Sequence, residues 1–153
     1  MREFEEKLKE FALNGNLEVF RYLGERIKES TSIRDYIKGE QTIKAIHLTY
    51  LNLCNYYFVI SEPELNKRFA DIALYPRNPY VEYFALIELK YLKRSQDTTS
   101  HNLKITKLID EAKSQLDESE QDEKVKHWIS KGKKLKKIII VYHGWELVCL
   151  ESV

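Results

Sequence analysis

The stretch FADIALYPRNPYVEYFALIELKYL, residues 69–92, decides the fold. It reads as two strands joined by a turn, because Pro76-Arg77-Asn78-Pro79 is bounded by prolines that cannot continue a ladder. In the second strand, Phe84 to Leu92, successive side chains turn to opposite faces. Ala85, Ile87, Leu89 and Tyr91 share one face, and Phe84, Leu86, Glu88, Lys90 and Leu92 share the other. Apolar residues on both faces mark a strand covered on both sides. Glu88 and Lys90 interrupt that pattern, and unpaired charge in a core is costly. The first strand offers a partner: Phe69, Asp71, Ala73 and Tyr75 line one face, Ala70, Ile72 and Leu74 the other, and Asp71 is again a lone charge. Pairing as a hairpin brings Asp71 beside Glu88, with Lys90 next to them. Two converging carboxylates repel each other unless a proton or a cation intervenes. Oxygen ligands suit a hard divalent ion such as Mg²⁺. The Lys90 ammonium then stands where it can stabilise developing negative charge or position a water in a metal-assisted hydrolysis.

Outward from this hairpin, 153 residues and 18.2 kDa are the size of one domain with a sizeable core. Apolar content of 43% and charged content of 32% describe a soluble globular protein. A net charge of +1 supplies no global basic field of the kind many nucleic-acid binders carry. No apolar run approaches the ~20 residues of a membrane helix, and MREFEEKLKEF has no signal-peptide core. Cys54 and Cys149, far apart in sequence, suggest a reducing cytoplasm and no disulfide framework. With no GxxxxGK[ST] run, the chain is not expected to hydrolyse ATP itself. Without linker, repeat or low-complexity tract, residues 1–153 read as one domain whose first 35 or so form a helical extension.

Phe4, Leu8, Phe11 and Ala12 recur at helical spacing over 2–13, ahead of the breaker Asn14-Gly15-Asn16. Val19, Phe20, Leu23 and Ile27 form the stripe of a second helix over 17–29. Ser30-Thr31-Ser32 reads as a loop able to cap the next segment, and Gly39 breaks the short run IRDYIK. A helix over 40–52 turns Ile43, Ile46, Leu51 and Leu53 inward, with His47 a core or boundary histidine. Tyr56 to Ser61 reads as a strand ended by Pro63. Residues 93–101, KRSQDTTSH, read as a mobile polar loop beside the site, followed by a helix over 102–116 with Ile105, Leu108, Ala112 and Leu116 inward. The acidic DESEQDEK and the basic VKHWISKGKKLKK read as solvated surface or, for the basic run, as a phosphate-contacting patch. Lys137–Tyr142, a turn at His143-Gly144 and Trp145–Leu150 form a closing hairpin. A helix between the third and fourth strands allows a right-handed crossover and a mixed sheet, so the class is α/β.

Asp71 followed by Glu88-Leu89-Lys90 on the next strand resembles the PD-(D/E)XK nuclease superfamily. The runs RDYIKGEQTIKAIHLTYLN, YYFVISEPELNKRFADIALYP, YFALIELKYLKR and KKLKKIIIVYHGWELV look like a bacterial domain often found behind an AAA-type ATPase-like module. This resemblance covers roughly residues 10–150. It implies a restriction-endonuclease-like mixed sheet core, α-β-β-β-α-β, with extra N-terminal helices and a C-terminal β-hairpin. It implies hydrolysis of phosphodiester bonds in nucleic acid, DNA ahead of RNA, with Mg²⁺ (Mn²⁺ as substitute) held by Asp71, Glu88 and the carbonyl of Leu89. Lys90 would assist the attacking water, while Glu40 on the first core helix and Gln115 on the later one would support the site. An AAA-type module and a second copy are the partners it suggests. Read alone, Glu40 is also what a helix dipole favours at a first turn, and Gln115 an exposed helical glutamine. The alternative function is a catalytically silent module of the same fold that serves protein interaction or regulates an ATPase partner.

Overall fold

Residues 83–92, apolar on both faces, become the middle of a five-stranded sheet. The computed structural model describes residues 1–30, 39–65, 68–93 and 101–153. In chain order the elements are α1 (Arg2–Asn14), α2 (Glu18–Glu29), α3 (Glu40–Leu51), β1 (Tyr57–Ser61), β2 (Glu64–Leu65), β3 (Arg68–Phe69), β4 (Ile72–Pro76) and β5 (Tyr83–Leu92). Then come α4 (His101–Ser119), α5 (Glu123–Ser130), β6 (Lys134–His143) and β7 (Glu146–Ser152). The sheet runs β1-β4-β5-β6-β7, antiparallel at every pair except β5–β6. That parallel pair is the consequence of the helical crossover through α4 and α5. β2 and β3 make a separate two-stranded ladder.

Both faces of the sheet are covered, which is why β5 does not alternate apolar with polar. On one face Phe4, Leu8, Phe11, Phe20 and Ile43 of α1, α2 and α3 pack with Ile72, Leu74, Ile87, Leu89 and Ile140. On the other, Ala112, Leu116 and Val125 of α4 and α5 pack with Ala73, Tyr75, Phe84, Leu86 and Val141. Each large side chain so buried contributes on the order of 2 kcal/mol, so the two layers together hold β5 in register. His47 is fully buried, as expected of a core histidine; its Nδ1 lies 2.9 Å from the Ile43 carbonyl, its ring stands edge-on to Tyr142, and burial pushes its pKa down to about 4.

Several expectations need correction. Leu53 is 53% exposed, because α3 ends at Leu51 and Leu53 lies beyond its inward stripe. The first strand of the hairpin is not continuous: β3 ends at Phe69, and the chain pairs anew only from Ile72. Pro76 is the buried last residue of β4 and not part of an exposed turn, since a final strand position tolerates a missing N–H. The acidic-to-basic run is largely exposed, as a solvated surface should be, but the expectation missed a helix in it. That helix is α5, capped by Asp122, whose side chain accepts from the Lys124 N–H at 2.9 Å. Ser30-Thr31-Ser32 beyond its first residue, the segment IRDYIK and most of the 93–101 loop lie outside the described residues.

Gly15 closes α1 in the left-handed region (φ +73°), and its N–H donates to the Phe11 carbonyl at 2.9 Å. A Cβ there would lie 2.8 Å from Lys136 Cε and 2.9 Å from Tyr83 Cε1. Gly15→Ala is expected to lower stability by about 1–2 kcal/mol, read as a lower urea midpoint at unchanged slope. An unchanged midpoint would contradict this packing of α1 on the sheet.

Candidate active site

Asp71 sits where the β4–β5 ladder, which runs from Leu74↔Ala85 to Ile72↔Ile87, comes to its end. Its N–H donates to the Ile87 carbonyl at 3.1 Å, and its carbonyl accepts from the Glu62 N–H at 2.9 Å. The backbone of Asp71 is thus tied to strands on both sides. Its carboxylate Oδ2 accepts from the Leu89 N–H at 2.7 Å, a side chain taking the place of the next ladder carbonyl. In an extended strand the N–H and C=O of one residue face the same neighbour, so the Leu89 carbonyl also opens toward Asp71.

Glu88 is only 3% exposed, on the same sheet face as Leu86 and Phe84, and its Oε1 has no hydrogen-bond partner. Its Oε2 lies 3.9 Å from Lys90 Nζ. Lys90 instead donates to Gln115 Oε1 on α4 at 3.1 Å, its side chain 18% exposed. Burial, reinforced by the Asp71 carboxylate, pushes the Glu88 pKa up to about 8, against the smaller pull of Lys90. As a nearby acceptor the Asp71 carboxylate further favours the protonated form of Glu88. A surface ion pair is therefore not what Glu88 and Lys90 form.

Glu40, the first residue of α3, faces the same cluster. Partial burial and then the charge of Asp71 raise its pKa, with Lys90 and Lys44 opposing. All the side chains singled out in the sequence, Glu40, Asp71, Glu88, Lys90 and Gln115, thus belong to one electrostatic neighbourhood. Two residues escaped the sequence reading. Lys44, one turn after Glu40 and nearly fully buried, donates to Glu62 Oε1 at 2.8 Å. That bond holds the Glu62 carboxyl below the usual range. Glu62 lies in the left-handed region (φ 50°), a conformation sparsely populated by non-glycine residues and characteristic of functional sites. The Glu40–Lys44 spacing was the available signal for Lys44; nothing local announces the φ of Glu62.

The donor set is all oxygen: two carboxylates in hydrogen-bond reach, one buried with an unpartnered oxygen, and a main-chain carbonyl beside them. That fits a hard divalent cation, which would offset the burial and the carboxylate repulsion that favour the Glu88 proton. Among the described residues no three His, Cys, Asp or Glu side chains are arranged to hold an ion together. Two lysines of the basic run are engaged within the fold: Lys137 Nζ bonds Asp117 at 2.9 Å and Glu120 at 2.6 Å, and Lys133 donates to the Pro79 carbonyl at 2.6 Å.

A profile of the PD-(D/E)XK nuclease superfamily matches residues 38–152, which include the whole sheet and every site residue named above. The chain belongs to that superfamily. Its mixed α/β architecture, with a five-stranded, mostly antiparallel sheet, is consistent with the superfamily's fold. Neither the curated proteins nor the solved structures return a significant match. Among the described residues no helix is long and apolar enough to cross a membrane.

The Glu88 shift has a sign that can be tested. Its folded pKa of about 8 lies above the ordinary 4.5, so its contribution is fully present below pH 4.5 and lost as pH rises through about 8. Each unit of displacement is worth about 1.4 kcal/mol. Without divalent ions, wild-type stability should fall across this window, and Glu88→Gln should remove most of the slope and exceed wild type near about pH 8.5. Urea titrations in EDTA measure this; parallel pH profiles for the two proteins would contradict the burial of an ionisable Glu88.

Proposed function

We propose that this member of the PD-(D/E)XK nuclease superfamily is a Mg²⁺-dependent nuclease that hydrolyses phosphodiester bonds of nucleic acid, DNA ahead of RNA. The observation that carries the reading is the convergence of Asp71, a buried Glu88 with a free oxygen, and a Lys90 anchored by Gln115. Asp71 and Glu88 would hold the ion, with the Leu89 carbonyl turned to the same side. A divalent ion bound there supplies Lewis acidity to a phosphoryl oxygen and a more acidic water.

The chain's own groups supply the rest. Asp71 is fixed by the Leu89 N–H, so its free lone pairs keep one direction. The Lys90 side chain is partly exposed, and its ammonium, donating to Gln115 Oε1 at 3.1 Å, stands 3.9 Å from Glu88 Oε2. From there it stabilises charge that develops on a phosphate or orients the attacking water. Glu40, with raised proton affinity and set at the start of α3, is suited to hold a proton at the rim of the site. An AAA-type ATPase-like module is the partner suggested by the resemblance.

Lys90→Ala is expected to reduce cleavage of an oligonucleotide panel by about 10²–10³-fold, with the circular dichroism spectrum unchanged. Gln115→Ala should reduce it less, because Lys90 keeps its charge and loses only its anchor. EDTA should abolish cleavage and Mn²⁺ restore it. Full activity in Lys90→Ala would sink the assignment. Absence of cleavage in wild type on every substrate, with and without Mg²⁺ or Mn²⁺, would favour a silent module of the same fold.

A further inference from the structure

β1 is one edge of the sheet, and among the described residues it pairs only with β4. The register determines which of its main-chain groups face outward. Just outside the strand, the Arg77 N–H donates to the Tyr56 carbonyl at 3.0 Å, and the Glu62 N–H to the Asp71 carbonyl at 2.9 Å. Hydrogen-bonded positions recur at every second residue. Phe58 and Ile60 therefore turn their backbone groups toward β4, while Tyr57, Val59 and Ser61 turn theirs away from the sheet. Edge strands usually carry lysine, proline or a bulge that blocks further pairing. The sequence Tyr-Phe-Val-Ile-Ser carries none of these. The opposite edge, β7, carries Glu146 and Glu151 and an irregular register against β6 at Val141/Tyr142.

Apolar surface gathers along the same edge. Phe58 is 51% and Ile60 37% exposed, and with Tyr75, His127 and Trp128 they line an open hollow of about 400 Å³ beneath α5. Trp128 stacks on Tyr75 there. Beside the start of the strand, the exposed Leu53 and Tyr80 line a second hollow with Tyr56.

We propose that β1 pairs antiparallel with β1 of a second copy of this chain, about a two-fold axis at Val59, joining the two five-stranded sheets edge to edge. The strand's complementarity to itself is what selects a second copy. Centred on Val59, the outward groups of Val59 meet those of the other Val59, and those of Tyr57 meet those of Ser61. Phe58 of one copy then lies directly across from Ile60 of the other, apolar against apolar, with no like charges opposed. Such non-hydrogen-bonded pairs bring Cα atoms to about 4.5 Å, close enough to cover both side chains. Glu123 and Lys124 both line the hollow and offset each other, so it offers no positive field to a phosphate backbone, whereas an apolar strand edge covers Phe58 and Ile60 and leaves both charges in water. The inference stands independently of the nuclease reading, since it rests on the strand edge and not on the carboxylates.

A five-residue strand is short, so association in the micromolar range is expected. Light scattering on the eluted chain, from about 1 µM to about 1 mM, should pass from monomer to dimer. Val59→Pro removes an outward N–H without breaking a bond to β4, and Ile60→Lys sets a charge opposite Phe58. Either should raise the dissociation constant about tenfold or more with unchanged circular dichroism. In the wild type, amide exchange at Tyr57, Val59 and Ser61 should slow with concentration. Should Val59→Pro fail to fold, Ile60→Lys, at a partly exposed position, decides. A wild type that stays monomeric throughout would overturn the proposal, as would a dimer that survives Ile60→Lys. So would a single-stranded oligonucleotide that quenches Trp128 in a chain that remains monomeric.

Discussion

Leu89 would give its N–H to a β4 carbonyl if the ladder ran on; it gives it to Asp71 Oδ2 at 2.7 Å instead. A buried N–H left without a partner costs about 1–3 kcal/mol, so this bond ties the Asp71 carboxylate into the fold itself. It also ends the β4–β5 pairing at the point where Glu88 and Lys90 stand on β5. The direction of Asp71, the outlook of the Leu89 carbonyl and the closeness of Glu88 all descend from that one substitution of a side chain for a backbone acceptor. Asp71 and Lys90 in turn set the field that Glu40 meets from α3.

The same arrangement keeps the site in a poised state of charge. Glu88 is buried among apolar residues of two strands, β5 and β6, where Ile139 is its register partner. Burial and Asp71 together favour its proton, and Lys90 at 3.9 Å is too far, and too engaged with Gln115, to offset them. Near neutral pH, positive charge brought from outside would favour the ionised form of Glu88. Lys44 and Glu62 form an ion pair beside this cluster, so the positive charge near Glu40 is already partly committed.

Much of this was legible in the sequence because β5 carries its signal locally. Apolar residues on both faces announced a covered strand, and Glu88 and Lys90 stood out as charges that needed an explanation. Gly39 followed by Glu40 placed the start of α3 correctly. What failed depended on distance or on backbone. The break at Ala70-Asp71 comes from hydrogen bonds to residues 62 and 87, which no local pattern encodes. The Lys44–Glu62 pair spans 18 positions. α5 was hidden in a charge run because Val125 is its only fully buried residue, with Trp128 packed partly against the same layer. Leu53 was misplaced by extending an apolar stripe past the last helical turn.

The most direct test of the central claim is calorimetric titration of Mn²⁺ into the wild type and into Asp71→Asn near about pH 7, in buffers of differing ionisation enthalpy. If Asp71 and a protonated Glu88 make one cation site, the wild type binds a single ion and releases about one proton, and the variant loses the saturable heat. Binding of equal strength in both proteins, or none in the wild type, would contradict it.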